Sequence, residues 1–198
     1  MTSFAEPFER FAAIFARATT ELSRECFPEP NAMSVATADA DGHPSNRIVL
    51  LKEFDERGFV FYTNFEGRKG SELLVNPYCA LCFHWAPLEQ QIRIEGRAER
   101  VADAQADAYF ASRARASQLG AWASQQSRPM AHSDDLHRRL DEVRARFEGM
   151  SVPRPPYWSG FRVVPSRMEF WHAGTNRLHS RTVYSRAGDG WRVETLYP

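Results

Sequence analysis

Apolar residues recur along the chain with two different periods, and the changes of period mark out the elements. Between residues 4 and 25, Phe4, Phe8, Phe11, Phe15, Ala18 and Leu22 are spaced by three or four, the stripe of an amphipathic helix. Pro28 and Pro30 interrupt the pattern. Beyond them, residues 32–38, 44–52, 58–64, 78–85 and 91–101 are rich in β-branched and aromatic side chains and read as strands. Ile92 and Ile94 alternate with Arg93 and Glu95, as on a half-buried sheet. Asp41-Gly42 between the first two strands is a hairpin signal. Residues 67–76 read as a short helix closed by Pro77, and residues 102–124 are Ala-rich and helical. Residues 133–150 carry Leu136, Leu140, Val143 and Phe147 as an inward stripe, with Ser133 as the expected N-cap. After Pro153, Pro155 and Pro156, residues 161–171, 180–186 and 191–196 read as strands, the last two joined through Gly188-Asp189-Gly190.

Five strands in the first hundred residues, linked mostly by short turns, predict an antiparallel barrel with flanking helices, mostly β in an α+β class. No internal repeat or linker divides the 198 residues, so one domain is expected. Its parts are an N-terminal helix within 1–27, barrel strands over 32–101, a helical insertion at 102–150 and C-terminal strands over 158–198.

Composition narrows the function. With 43% hydrophobic residues, the chain can bury a core without disulfides or metal. Its 25 basic and 25 acidic side chains cancel, which argues against nucleic acid or an anionic membrane as partner, since both demand a basic field. Any bound anion should be small and held locally. No apolar run approaches the roughly 20 residues of a membrane span, and the N-terminus lacks the order of a signal peptide, so a cytoplasmic location is expected. Cys26, Cys79 and Cys82 read as reduced thiols. Cys79 and Cys82 have Cys-x-x-Cys spacing, but no second pair completes a zinc site and a strand turns the two to opposite faces; no metal is expected.

Four segments could carry chemistry. Arg47 and Lys52 bound an apolar run, and cations at the ends of a buried strand need anions or water. Five positions apart on a regular strand, they face opposite sides. Tyr62, Thr63 and Asn64 lead through a turn into Gly67-Arg68-Lys69-Gly70, where a helix start offers free backbone N–H groups to a phosphate. Neither a Walker nor a dinucleotide glycine pattern is present. Tyr109, Arg113 and Ser117 recur every four residues, one stripe of donors if the helix runs through them, although a solvated face has the same spacing. Gln126 and Ser127 add neutral donors and acceptors. Arg177, His179 and Arg181 alternate, and on a strand would share a face near Trp171; an edge strand in water would look similar. Only Lys52 and Lys69 of the 25 basic residues are lysines, which suits positions that want a compact ammonium or simply an Arg-rich genome.

Taken together, these segments resemble the pyridoxamine 5′-phosphate oxidases, FMN-dependent enzymes with a split β-barrel of antiparallel, Greek-key type. The resemblance runs over 32–198. It is carried by 47–52, Phe61-Tyr62-Thr63-Asn64, Arg68-Lys69, 85–91, Tyr109-Phe110, Ser112-Arg113, 117–122 and Gln126-Ser127. Glu169-Phe170-Trp171 with Arg177-Leu178-His179 and Arg181 is its most specific part. It implies that Arg47, Ile48, Val49, Leu50, Leu51, Lys52, Tyr62, Thr63, Arg68, Lys69, Gln91, Gln126, Ser127, Trp171 and Arg181 contact FMN. It further implies that Lys52, Tyr109, Arg113 and Ser117 hold a substrate phosphate, while Arg177 and His179 lie over its pyridine ring as the catalytic pair. The implied reaction oxidises pyridoxamine or pyridoxine 5′-phosphate with O₂ to pyridoxal 5′-phosphate, releasing H₂O₂ and, from the amine, NH₃. The implied assembly is a homodimer sharing FMN between subunits, which would ease the facing problem of Arg47 and Lys52. Ser180, Gln90 and Ala114 depart from the usual residues, and the basic, Tyr-containing segment expected before the first helix is absent, which points to looser closure over the substrate. Alternatives are a related flavin oxidase of the phenazine-pathway type and a non-catalytic binder of FMN or pyridoxal phosphate.

Overall fold

The computed structural model describes every residue except Met1, Arg24 and Cys26, so the thiol expected at Cys26 lies outside the described residues. The phenylalanine stripe forms α1 (Glu6–Glu21), which ends four residues before its pattern does because Leu22 turns extended. Its inward face meets the sheet as a set of aromatic contacts. Phe11 lies 4.9 Å from Phe54, 4.8 Å from Phe59 and 5.1 Å from Phe83, ring centre to ring centre, in edge-on geometry.

Nine strands form one antiparallel sheet. They are β1 (Ala32–Ala38), β2 (Pro44–Leu50), β3 (Glu53–Asp55), β4 (Gly58–Asn64), β5 (Tyr78–Trp85), β6 (Gln90–Arg100), β7 (Trp158–His172), β8 (Ser180–Ala187) and β9 (Gly190–Thr195). The order is β2-β1-β5-β6-β7-β4-β3, with β8 and β9 continuing from β7. This is the mostly-β, antiparallel arrangement that the turn spacing predicts. The three-residue β3 is too short to carry a periodic signal and was not expected from the pattern. One edge of β7 serves two partners: residues 158–163 pair with β4, and residues 167–172 pair with β8. Along its other edge runs β6, with a register shift at Glu95/Gly96.

The helices deviate more from expectation. α2 (Arg68–Val75) starts just after Asn64 and Phe65, and only a glycine fits at position 70: a Cβ there would lie 2.5 Å from the Asn64 carbonyl oxygen. The expected helix over 102–124 is two helices, α3 (Asp103–Ser112) and α4 (Arg115–Ala123), separated by extended Arg113 and Ala114. The break is stabilised by buried Gln118, whose amide Nε2 donates to the Phe110 and Ala111 carbonyls at the end of α3. α5 (Asp135–Arg146) begins two residues after Ser133, so Ser133 is not its N-cap; Asp135 instead accepts the His132 N–H at 3.1 Å. Leu136, expected on the inward stripe, is 41% exposed, while Phe147 is buried.

The core comprises a large cluster between α1 and the sheet, a smaller one of Phe110, Leu119, Phe147 and Val152 with Trp158, and a third of Val60, Val101 and Ala106. Cys79 lies in the large cluster and burial pushes its thiol up to about 12, while Cys82 on the other face is half-buried, as the spacing argument requires. Phe11 is fully buried against three strands. Its replacement by alanine is expected to destabilise the protein by about 3–5 kcal/mol. Urea unfolding of Phe11→Ala checks this, and a loss below about 1 kcal/mol would show that α1 is not integral to the core.

Candidate active site

Two adjoining pockets open where β2, β4, α2 and the α3–α4 break converge. The first, about 510 Å³, is lined by Ile48, Val49, Leu50, Lys52, Tyr62, Thr63, Lys69, Tyr109, Arg113, Ser117 and Gln126, together with Asn64, Ala114 and Trp158. The second, about 530 Å³, is lined by Arg47, Arg68, Lys69, Gln126 and Ser127 with residues 44–46. Lys69 and Gln126 belong to both. Each volume falls in the range of small-molecule sites. A roomier cleft of about 740 Å³ beside α5 has its Arg138 paired to Asp135 and its Arg128 paired to Glu66.

The break in the helix is what builds the first pocket. Tyr109, Arg113 and Ser117 are not a stripe on one helix, as the spacing suggested, yet the extended link at Arg113 and Ala114 still brings all three to one wall. Tyr62 stacks on Tyr109 at 3.9 Å and on Trp158 at 5.4 Å, and Arg113 lies over the Trp158 ring at 4.7 Å. Burial and a hydrogen bond to Glu53 raise the Tyr62 phenol well above its ordinary value, so it stays protonated. Burial lowers the Arg113 pKa, and its Nη1 is a buried donor with no partner. Lys69 is likewise shifted down by burial and by Arg47; its Nζ reaches only neutral oxygens, Thr63 Oγ1 at 3.1 Å and Gln126 Oε1 at 2.8 Å. Among the described residues, Lys52, Lys69 and Arg113 form no salt bridge. Such cations in a pocket, with the uncapped start of α2 beside them, are complementary to an anion. Gly67 allows this closeness, since a Cβ there would sit 2.5 Å from Gln126 Oε1.

A second group of candidate residues lies elsewhere. Gln91, Trp171 and Arg181 form one cross-strand row on β6, β7 and β8. Arg181 is held by Glu169 Oε1 at 2.8 Å and by the Tyr197 carbonyl at 3.0 Å. Arg177 and His179 precede β8 and do not alternate along a strand with Arg181: Asn176 and Arg177 have φ of 54° and 65° in a tight turn. The His179 ring packs 4.7 Å from Trp171, and its Nδ1 accepts the Gly174 N–H at 3.2 Å. None of these five residues lines either pocket. Leu51 does not either; it is 4% exposed, and its N–H and carbonyl bond to Asn31.

Residues 19–147 match the pyridoxamine 5′-phosphate oxidase family, and residues 158–198 match the pyridoxine 5′-phosphate oxidase C-terminal dimerisation region. The chain belongs to the pyridoxamine 5′-phosphate oxidase family. Proteins named pyridoxine/pyridoxamine 5′-phosphate oxidase are similar at high identity. One from Myxococcus xanthus is 59% identical over 98% of this chain and 92% of its own. One from Rubrobacter xylanophilus is 56% identical over 93% and 85%. Among solved structures, PhzG from Burkholderia lata, in complex with tetrahydrophenazine-1-carboxylic acid, is 30% identical with a TM-score of 0.87 over 100% of this chain and 94% of that one. An FMN binding protein from Nostoc punctiforme, at 16% identity and TM-score 0.74, shares the fold over 97% of this chain and 98% of its own.

As a member of this oxidoreductase family, the chain carries the dimerisation region on β7–β9, where Trp171, Arg177, His179 and Arg181 lie. Sequence reasoning missed Trp158, because the strand was expected to begin at residue 161; an aromatic directly after the proline loop was the available signal. It also missed the buried carboxylate Glu72, which carries no spacing signal, and gave Glu169 no role although the residue stands in the most specific motif of the resemblance. Burial pushes the Glu169 carboxyl up, but Arg181 and Arg93 outweigh this and hold it below the usual range. The stability this contributes is therefore present above the unfolded pKa of about 4.3 and is lost as pH falls through the lower folded value. Glu169→Gln is expected to cost about 1–3 kcal/mol at pH 7, less than a fully enclosed pair because the guanidiniums reach solvent. Urea midpoints at pH 7 and pH 3 should show the gap between wild type and variant closing in acid; a constant gap would contradict the assignment.

Proposed function

We propose that the protein oxidises pyridoxamine 5′-phosphate or pyridoxine 5′-phosphate with O₂ to pyridoxal 5′-phosphate, using FMN and releasing H₂O₂, with NH₃ from the amine. The observation that carries this reading is the convergence of Lys52, Lys69 and Arg113, without carboxylate partners among the described residues, on one pocket, which Lys69 shares with an adjoining second pocket. Two neighbouring anion sites suit two phosphate esters, a cofactor's and a substrate's. The buried, partnerless Arg113 Nη1 and the cation-lined start of α2 fit these groups.

In this reading Arg47, Arg68, Lys69, Gln126 and Ser127 hold the FMN phosphate end, and residues 48–50 with Tyr62 and Thr63 line the adjoining wall. Bound FMN would supply two-electron acceptance from the C4′ carbon and reoxidation by O₂. Lys52, Tyr109, Arg113 and Ser117 anchor the substrate phosphate, and that remote binding fixes where the reacting carbon sits. Arg177 and His179 orient the pyridine ring and stabilise charge developing on it. Because they lie with Gln91, Trp171 and Arg181 outside the pockets, the site is completed by a second subunit, which the family's dimerisation region supports. Exposed Leu178, at 73%, offers apolar surface beside that group. No helix among the described residues is long and apolar enough to cross a membrane, and the balanced composition supports a cytoplasmic enzyme of vitamin B6 metabolism.

The likeness to PhzG supports a second reading, an oxidase for a larger ring substrate. Identities of 59% and 56% to the phosphate-substrate oxidases favour the first. An anaerobic absorption spectrum of the FMN-loaded protein decides between them. Pyridoxine 5′-phosphate is expected to bleach the flavin bands, with recovery on admitting air. A spectrum that stays oxidised with this substrate but bleaches with a reduced phenazine would establish the second reading.

The phosphate assignment predicts a separate outcome. Arg113→Ala removes one charge-assisted bond worth about 1.5–3 kcal/mol, so substrate affinity should fall roughly 10- to 150-fold. Substrate titration of the holoenzyme by flavin absorbance checks this, and unchanged affinity would take Arg113 out of the site.

A further inference from the structure

Glu72 sits on the second turn of α2 with its carboxylate turned inward, 6% exposed, behind the pocket lined by Arg47, Arg68 and Lys69. Its Oε2 accepts from Thr37 Oγ1 and, at 2.6 Å, from Ser45 Oγ, and lies 3.5 Å from Arg47 Nη2. Its Oε1 accepts from Arg68 Nε at 2.9 Å. Burial alone would raise this carboxyl, but the hydrogen bonds from Ser45, Thr37 and Arg68 and the Arg47 charge hold it below its ordinary value, so it is ionised at neutral pH. Arg47 is fixed from the other side as well: Nη1 donates to the Val35 carbonyl at 3.2 Å and to Thr37 Oγ1, and Nη2 donates to Ser45 Oγ.

We infer that Glu72 is a positioning residue for the phosphate end of the flavin cofactor, holding Arg47 and Arg68 side by side before the ligand arrives. Three cations against one carboxylate leave the pocket with two excess positive charges, which match a phosphate monoester near pH 7. Without the carboxylate, Arg47, Arg68 and Lys69 face one another as like charges. Arg68, whose side chain is already 59% exposed, is then free to swing into solvent. Binding must afterwards reassemble the cradle, at a cost in ordering. The inference rests on FMN as the cofactor.

The direction of the effect separates positioning from simple charge. Removing a negative charge beside an anion site strengthens its field for an anion, so electrostatics alone predicts tighter binding in Glu72→Gln. Lost positioning predicts the reverse. The experiment titrates the full-length, flavin-free protein with FMN and, separately, with riboflavin, which lacks the phosphate, following flavin fluorescence. Glu72→Gln is expected to bind FMN about tenfold more weakly, or about 1.4 kcal/mol, with riboflavin affinity unchanged. Thr37→Val, which removes a donor to the same carboxylate without altering charge, is expected to weaken FMN about threefold, again sparing riboflavin, and serves if Glu72→Gln does not fold. FMN affinity that is unchanged or higher in the variants overturns the inference, as does equal weakening for both flavins. A wild-type protein that binds FMN no better than riboflavin overturns instead the reading of the pocket as a phosphate cradle, and the inference with it.

Discussion

The arrangement depends on how β7 shares its backbone hydrogen bonds. A strand has two edges, and β7 gives one to β6 along most of its fifteen residues. The other edge is divided, β4 taking residues 158–163 and β8 taking 167–172. Between them lies Pro165, which has no N–H to offer a neighbour, and opposite it the register of β6 shifts at Glu95/Gly96. Gly96 is needed there, since a Cβ would meet the Val164 carbonyl oxygen at 2.2 Å. This short interval opens the sheet into two halves. Tyr62 and Thr63 on β4 hang from one end of β7, and Arg181 on β8 from the other. The two groups of candidate residues are thus held by one strand while lying on different parts of the protomer.

Crowding of cations is the second constraint. Away from the pockets, several arginines pair with carboxylates: Arg162 with Asp55 at 2.6 Å, and Arg154 with Asp103 at 2.9 Å and with Asp107. Within the site two buried carboxylates serve several guanidiniums each, Glu72 for Arg47 and Arg68, and Glu169 for Arg93, Arg167 and Arg181. Each carboxylate fixes its guanidiniums side by side, which offsets part of their mutual repulsion. Lys69 and Arg113 lie beyond the reach of either carboxylate and meet neutral oxygens or aromatic faces instead. With Lys52 they are the lysine and arginine cations lining these pockets that have no carboxylate partner among the described residues.

Most of the fold was readable because the hydrophobic period is a local property. The phenylalanine stripe, the alternation of Ile92 and Ile94 with Arg93 and Glu95, and the Asp41-Gly42 turn each decide structure within a few residues. The α3–α4 break was not readable, because residues 102–124 contain neither proline nor an interior glycine before Gly120. Helix propensity favours continuing, and the interruption comes from Gln118 reaching back to the carbonyls of 110 and 111 and from Arg113 settling over Trp158, both tertiary contacts. For the site, spacing alone left each segment open. The resemblance gathered them, and the pockets show which of them meet within one chain.

Alternation of Arg177, His179 and Arg181 gave the wrong local structure for a reason that bears on function. Gly174 approaches so close to the Leu178 carbonyl that a Cβ would lie 1.9 Å from its oxygen, and the chain reverses there through left-handed Asn176 and Arg177. Asparagine tolerates that conformation; arginine adopts it at a cost of about 1–3 kcal/mol. The cost is sustained by contacts on both sides: His179 accepts the Gly174 N–H and packs on Trp171, and Arg181 is anchored to Glu169 and to the Tyr197 carbonyl. A continuous strand would have put Arg177 on the same face as Arg181. The turn instead takes Arg177 out of the sheet, where it is exposed, and the Gly174 N–H donates to His179 Nδ1. Left-handed backbone also occurs at Glu89 and at Ser127 beside the second pocket, but among the described residues only here do two such residues follow one another, within the region that matches the family's dimerisation segment.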